Sequence, residues 1–435
     1  MAKNNKNSTK RTTGNNDKYL SDYLAVVPSL LMLLMIALML ILDISLPQMA
    51  DKQYEDFTAI FRVMNYVAVL SGAAYLITLI LRKESQMRWS YAFFAGFLAC
   101  IALSTAVNGL TDEAIHGVPY RNIGIFNMAA FIIIYMMSAS LIRRDQFKDF
   151  ILLVYIAIAD LIAAVVFVDK YVSAIPAFGA KKELSAIFFN GNHYGYYLVM
   201  AVLIGTGYYL LSDGWRTTVG GISALLNLMI LAINHTLGCI LAVSAVILVV
   251  CICTVVKLPN NRRRVLILVG TIGLLAAIAL IISPELRTEI TTFSEDLSSI
   301  IGGSASGSAG HGRLKIWRLT AEFISEKPLL GHGCEGISMR MYAETAISNP
   351  HNELLTYAAY YGIPAAALYA LGVLSTIAES LRAKSGTSSC DRIACMAAAG
   401  YFISSIVGVA MFYTLPFFFL FLGMSSNATN CNNKH

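Results

Sequence analysis

The residues best suited to chemistry lie in one run, Ser348-Asn349-Pro350-His351-Asn352-Glu353-Leu354-Leu355. Asn before Pro predicts a helix start, with Asn349 as the cap and Pro350 at the first helical position. His351 then falls in the first turn, where the helix N-terminus disfavours a charged imidazole. A neutral imidazole accepts a proton, so His351 is a candidate general base. A histidine merely hydrogen-bonded within a cap fits the run equally well. Upstream, Pro328-Leu329-Leu330-Gly331-His332-Gly333 forces a turn and leaves backbone N–H groups uncovered. Such a turn either cradles a phosphate or serves as an ordinary reversal, the commoner case. Before it, Arg313–Lys327 predicts a helix with Leu314, Trp317, Ala321 and Ile324 on one face and Arg313, Lys315 and Arg318 elsewhere.

Other groups lie farther off in the chain. Phe188-Phe189-Asn190-Gly191-Asn192-His193-Tyr194 is rich in amides and aromatic rings. That chemistry suits sugars, through hydroxyl hydrogen bonds and stacking on C–H faces. A simple turn into the next helix is the equal alternative. Arg62, near the start of one apolar run, and Arg121, before another, could both meet phosphate, of lipid or of a substrate. Asp160 sits inside an apolar run, where an ionisable group hints at function, though it also suits a helix–helix hydrogen bond. The chain has no Gly-x-x-x-x-Gly-Lys-Ser/Thr, no Asp-x-Asp, no Gly-x-Ser-x-Gly and no His-Glu-x-x-His. A soluble nucleotide donor is therefore disfavoured, and a donor already in the membrane fits better. No cofactor and no metal are expected. Cys251 and Cys253 are too close for metal ligation, and the eight cysteines do not read as a disulfide framework.

The elements that must position these groups are set by hydropathy. Of 435 residues, 57% are hydrophobic and 13% charged, and mean hydropathy is +0.64. An aqueous fold could not hide so much apolar surface. Apolar runs fall near 24–46, 61–81, 89–107, 122–142, 149–168, 194–211, 217–233, 237–256, 265–283, 353–373, 393–412 and 414–425. They are continuous, not alternating, which excludes a barrel. The first is too long for a cleavable signal. The expected fold is all-α: a polytopic integral membrane protein of about twelve transmembrane helices. A disordered tail covers 1–19, one transmembrane domain 20–425, and a short tail 426–435.

Net charge is +6. About twenty of the 32 Lys and Arg fall in the tails and the even-numbered links, and about six in the short odd-numbered links. That asymmetry predicts cytoplasmic termini, with the odd links facing out of the cytoplasmic membrane. Anionic lipid accounts for the basic runs, so nucleic acid is not implied. Six of the seven histidines then lie in or beside outer links. A large helical extracytoplasmic loop, 284–350, joins spans nine and ten. Its Arg313 helix either lies at the membrane surface or packs on the outer ends of the spans.

Arg313-x-x-x-Trp317, then Pro328-Leu329-Leu330-Gly331-His332-Gly333, then Pro350-His351-Asn352-Glu353-Leu354-Leu355 and Tyr361-Gly362-Ile363-Pro364 resemble the shared signature of the O-antigen ligase and O-antigen polymerase superfamily. Asn190-Gly191-Asn192 resembles the family's Asn-Pro-Asn. The resemblance implies metal-independent transfer of a glycan from an undecaprenyl-diphosphate-linked oligosaccharide to a hydroxyl of a glycan or lipid acceptor, outside the membrane. Carried over, His351 matches the family's essential histidine, as base or acceptor-orienting group. Arg313 matches the loop arginine that engages the diphosphate, and Asn352 and Glu353 shape the site. Trp317, His332, Arg121, Asn190, Asn192 and His193 complete the expected substrate-binding set. Partners would be the bilayer and other polysaccharide-assembly membrane proteins, as in exopolysaccharide synthesis. The chain departs from the family where many members carry Ser-Arg. Here Asn234-His235-Thr236-Leu237-Gly238 stands instead, and Arg121, Lys181, Lys182 or His235 are the candidates for the missing cation. A transporter or lipid flippase centred on Asp160, and a non-catalytic glycan-assembly scaffold, are the competing readings.

Overall fold

The computed structural model describes Tyr23, Phe188 and residues 26–35, 37–38, 62–77, 88–118, 121–173, 190–282, 284–302, 312–382, 387–412 and 414–426. Two shorter apolar helices come first, α1 (Val26–Met35) and α2 (Arg62–Ile77). Then follow α3 (Trp89–Asn108), α4 (Asp112–His116), α5 (Ile125–Leu141), α6 (Asp145–Tyr171), α7 (Gly191–Leu211), α8 (Trp215–Ile233), α9 (Leu237–Lys257) and α10 (Arg262–Ile282). The last third holds α11 (Pro284–Ile301), α12 (Arg313–Glu326), α13 (Ser338–Thr345), α14 (Glu353–Tyr361), α15 (Ile363–Arg382), α16 (Ser389–Ser405) and α17 (Leu415–Ser425). No strand occurs among the described residues.

Among the described residues, seven helices are long and apolar enough to cross a membrane: α3, α6, α7, α8, α9, α10 with the short turn before it, and α15. At 1.5 Å per residue, ~20 residues span the ~30 Å hydrocarbon core. The chain is thus a multi-pass membrane protein. Four shorter apolar helices, α1, α2, α5 and α17, accompany them among the described residues, against an expected count of about twelve spans. The run read as 353–373 is not one helix. It breaks at Gly362 (φ +95°) into α14 and α15. The run read as 393–412 ends as a helix at Ser405.

Helix α7 is the axis of the fold and is buried along nearly its whole length. Its Gly205 lets α8 approach backbone to backbone, since a Cβ there would stand 2.7 Å from the Ala224 nitrogen. Small residues promote this close packing where no water drives association. The opposite case is α10, apolar all round and little covered by protein, as suits a lipid-facing helix. One end of the bundle is fastened by ions. Lys148 of α6 pairs with Asp391 of α16, and both are buried. Asp391 also completes a capping box with Ser388. Arg216 grips Asp149 at 2.7 Å. Toward the signature, Phe94, Phe97, Tyr357, Tyr369 and Phe419 form an edge-to-face aromatic core between α3, α14, α15 and α17.

Candidate functional site

The signature segments fold onto one another because each supplies what another lacks. Helix α14 ends at Gly362, so its last carbonyls need donors. The turn after α12 provides them. His332 N–H donates to the Ala359 carbonyl at 2.9 Å and Gly333 N–H to that of Tyr360 at 2.8 Å. Ile363 N–H returns a bond to the Pro328 carbonyl at 2.8 Å. The Gly-His-Gly turn is therefore a latch on the α14–α15 break. These N–H groups are committed, so the phosphate-nest reading of the turn is not supported. Glycine is required for contact: a Cβ on Gly362 would lie 2.0 Å from the Leu329 carbonyl oxygen. His332 reinforces the latch through Nε2, 2.8 Å from the Phe323 carbonyl of α12. Its ring is a fastener within the loop.

His351 stands just before α14, not in its first turn. Asn352 is the cap, and its Oδ1 accepts from Leu355 N–H at 3.0 Å. Asn349, expected as the cap, instead accepts from His351 N–H at 3.0 Å. The resulting turn puts His351 at φ +51°, a left-handed conformation that histidine tolerates better than most side chains. Trp317 of α12 donates from Nε1 to the Pro350 carbonyl at 3.0 Å. The indole thus holds the backbone beside His351. The buried stripe of α12 is Ile316, Thr320 and Phe323. Trp317 and Ile324 flank it, whereas Ala321 is exposed and Leu314 half-buried. The helix face therefore turns from the one expected, because α12 packs on α13 and α14 and not on lipid alone.

The electrostatics converge on His351. Burial pushes its pKa down to about 4, and the charges of Arg313 and Arg121 act in the same direction. That shift favours the neutral ring at pH 7, and its causes are desolvation and two cations, where the sequence pointed to a helix terminus. Arg121 and the His351 ring in turn act on His193, in the first turn of α7. Arg313, opening α12, reaches Tyr196 one turn along the same helix. Asn190 caps α7, and its Oδ1 accepts from Asn192 N–H at 2.8 Å. So Arg313, His351, Arg121 and His193 share one electrostatic neighbourhood, and the Asn190–Asn192 turn abuts it.

Arg121 and Glu335 make a connection that sequence reasoning missed. The Arg121 Nε donates to Glu335 Oε1 at 2.8 Å, and a second guanidinium nitrogen binds Oε2. Both side chains are buried. Glu335 also accepts from Tyr360 Oη at 2.9 Å and from Ser338 Oγ. Arg121 therefore joins the approach to α5 with the latch, and its fork is engaged by protein. A buried loop arginine demands a carboxylate, and Glu335, directly after Gly333-Cys334, was the sequence signal. Glu353 likewise is wholly buried, with Oε1 accepting from Tyr357 at 2.8 Å and Tyr369 at 2.6 Å. It faces a tyrosine pocket. Asn234 of the departed Ser-Arg position donates from Nδ2 to the Gly191 carbonyl at 2.6 Å, tying the α8–α9 turn to the start of α7. Lys181 and Lys182 lie outside the described residues. Among the described residues, no group of three His, Cys, Asp or Glu side chains gathers as metal ligands would.

Residues 222–370 match the family model described as O-Antigen ligase, 149 of the 435 residues. None of the curated proteins compared matches the chain. The matched stretch runs from within α8 into α15 and contains Arg313, Trp317, the latch and His351. Over those residues the chain is similar to the O-antigen ligases.

Proposed function

We propose that this chain transfers a glycan from an undecaprenyl-diphosphate-linked donor to an acceptor hydroxyl at the outer face of the cytoplasmic membrane, without a metal. The observation that carries the reading is a half-buried His351 in the field of Arg313 and Arg121, which with desolvation lower its pKa to about 4. Each suits one half of the reaction. Breaking the glycosidic bond leaves negative charge on a lipid diphosphate, and Arg313 stabilises it. The acceptor hydroxyl loses its proton as the new bond forms, and His351 accepts it. No nucleotide is consumed, because the donor bond supplies the driving force.

The low basicity of His351 fits this order of events. With only arginines nearby it resists protonation. A bound diphosphate would neutralise their field and raise the ring's affinity for a proton just as the acceptor arrives. Asn352 and Trp317 act by holding the loop. Arg121 acts through its pair with Glu335 and its field on His351. His193, Asn190 and Asn192 at the start of α7 line the side on which a sugar would sit.

Purified protein incubated with lipid-linked oligosaccharide tests the reading, followed by product sizing. A ladder of products marks a polymerase, and a single transfer marks a ligase. His351→Ala and Arg313→Ala should form no product while still inserting in the membrane. Wild-type product levels in both would remove the proposed site.

A further inference from the structure

Between α6, α7 and α8 lies a polar group that the transfer reaction does not use. Asp160 lies within α6 and is half-buried. Its Oδ1 accepts from Ser223 Oγ at 2.8 Å and from Asn227 Nδ2 at 2.6 Å, both on α8. From α7, the phenols of Tyr194 and Tyr197 lie in the field of its charge. Among the described residues the polar groups acting on the carboxyl are Ser223 and Asn227, with no basic side chain. A carboxylate inside an apolar span demands a counter-charge.

The surrounding oxygens ask for the same thing. Tyr194 Oη and Asn227 Oδ1 are buried and lack a hydrogen-bond partner among the described residues, and buried Tyr197 Oη meets only the Tyr155 phenol. All three side chains are wholly buried. Orphaned buried oxygens are rare and costly. A proton on Asp160 would satisfy one of them. A cation would satisfy several at once. The available donors are all hard oxygens: one carboxylate, one amide, one aliphatic hydroxyl and two phenols. A single carboxylate balances one positive charge, whereas a divalent ion would leave net charge in the hydrocarbon.

We propose that Asp160, Ser223, Asn227, Tyr194 and Tyr197 form an intramembrane binding site for a hard monovalent cation. The site bridges α6, α7 and α8, and Tyr194 directly follows His193. Occupancy would brace the first turns of α7, which carry the Asn190–His193 segment. The proposal stands independently of the glycan-transfer reading, because it concerns ion binding alone.

The test is equilibrium binding of radioactive sodium to the full-length protein in lipid nanodiscs, read by scintillation proximity. Wild-type protein should bind sodium saturably, with displacement by unlabelled sodium chloride and not by choline chloride. Asp160→Asn should lose binding. Tyr197→Phe and Asn227→Ala should raise the half-saturating concentration by about tenfold, the loss of one neutral oxygen contact. Signal no greater than that of protein-free nanodiscs overturns the proposal. So does wild-type affinity in Asp160→Asn. If that variant does not fold, unchanged affinity in both Tyr197→Phe and Asn227→Ala overturns it.

Discussion

The neutral state of His351 can be read out directly by its reaction with diethyl pyrocarbonate, which modifies only the uncharged imidazole. The ring is shifted from the ordinary 6.5 to about 4, by burial first and by Arg313 and Arg121 next. A shift of that size favours the neutral form by about 3 kcal/mol. The sign is that of a depressed base: neutral at every pH above about 4, and protonated only below it. An unshifted histidine would react about tenfold more slowly at about pH 5.5 than at about pH 7.5, because only about a tenth of it is then neutral. His351 should show almost no change over that interval. Arg313→Gln removes one repelling charge and leaves the desolvation, so the ring's midpoint should rise toward 6.5 without reaching it. Peptide mapping by mass spectrometry isolates His351 from the other six histidines, and it works in an inactive variant. A tenfold slowing in the wild type would refute the electrostatic argument. A midpoint unmoved by Arg313→Gln would refute the contribution of Arg313.

Arg121→Ala or Glu335→Gln leaves one buried charge without its partner, and each should cost about 3–5 kcal/mol. The double variant Arg121→Met with Glu335→Met should melt higher than either single variant, and a double no better than the worse single would contradict the pairing. Trp317→Phe keeps the ring but loses the bond to Pro350, so kcat/KM should fall about five- to tenfold with folding intact; an unchanged value would make the bond incidental. Glu353→Gln keeps an acceptor for Tyr357 and Tyr369 and should fold normally, whereas Glu353→Ala orphans both hydroxyls and should lower the melting midpoint by an amount equivalent to about 2 kcal/mol or more; equal midpoints would count against the tyrosine pocket. A membrane-impermeant maleimide should label Met339→Cys in intact cells, since Met339 is exposed on α13; protection until lysis would put the loop on the cytoplasmic side and end the proposed mechanism.

Helix positions were legible because long apolar runs have few alternatives. The run read as 89–107 became Trp89–Asn108, and 237–256 became Leu237–Lys257. The breaks within runs were less legible. Gly362 splits a continuous apolar stretch only because its φ of +95° is held by the latch, a contact between segments some thirty residues apart. Composition cannot register such a contact. The cap of α14 slipped for a local reason: Asn349 and Asn352 are both good caps, and Asn349 is used by the turn at His351. The loop helix was found but its face was not, since packing on α13 and α14 decides which stripe is buried. Among the candidate site residues, the motif pointed to His351 and Arg313. The commitment of Arg121 to Glu335 was not, because it joins positions 121 and 335 across the fold.

The central claim is that His351 and Arg313 together release a glycan from a lipid diphosphate. Its most direct measurement is the amount of undecaprenyl diphosphate liberated in a single turnover, with purified protein in excess over lipid-linked oligosaccharide and acceptor present. The wild type should release one lipid diphosphate per glycan transferred, and His351→Ala and Arg313→Ala should release essentially none while binding of the lipid-linked donor persists in His351→Ala. Release at the wild-type rate in His351→Ala, or glycan transfer without release of the lipid diphosphate, would contradict the account.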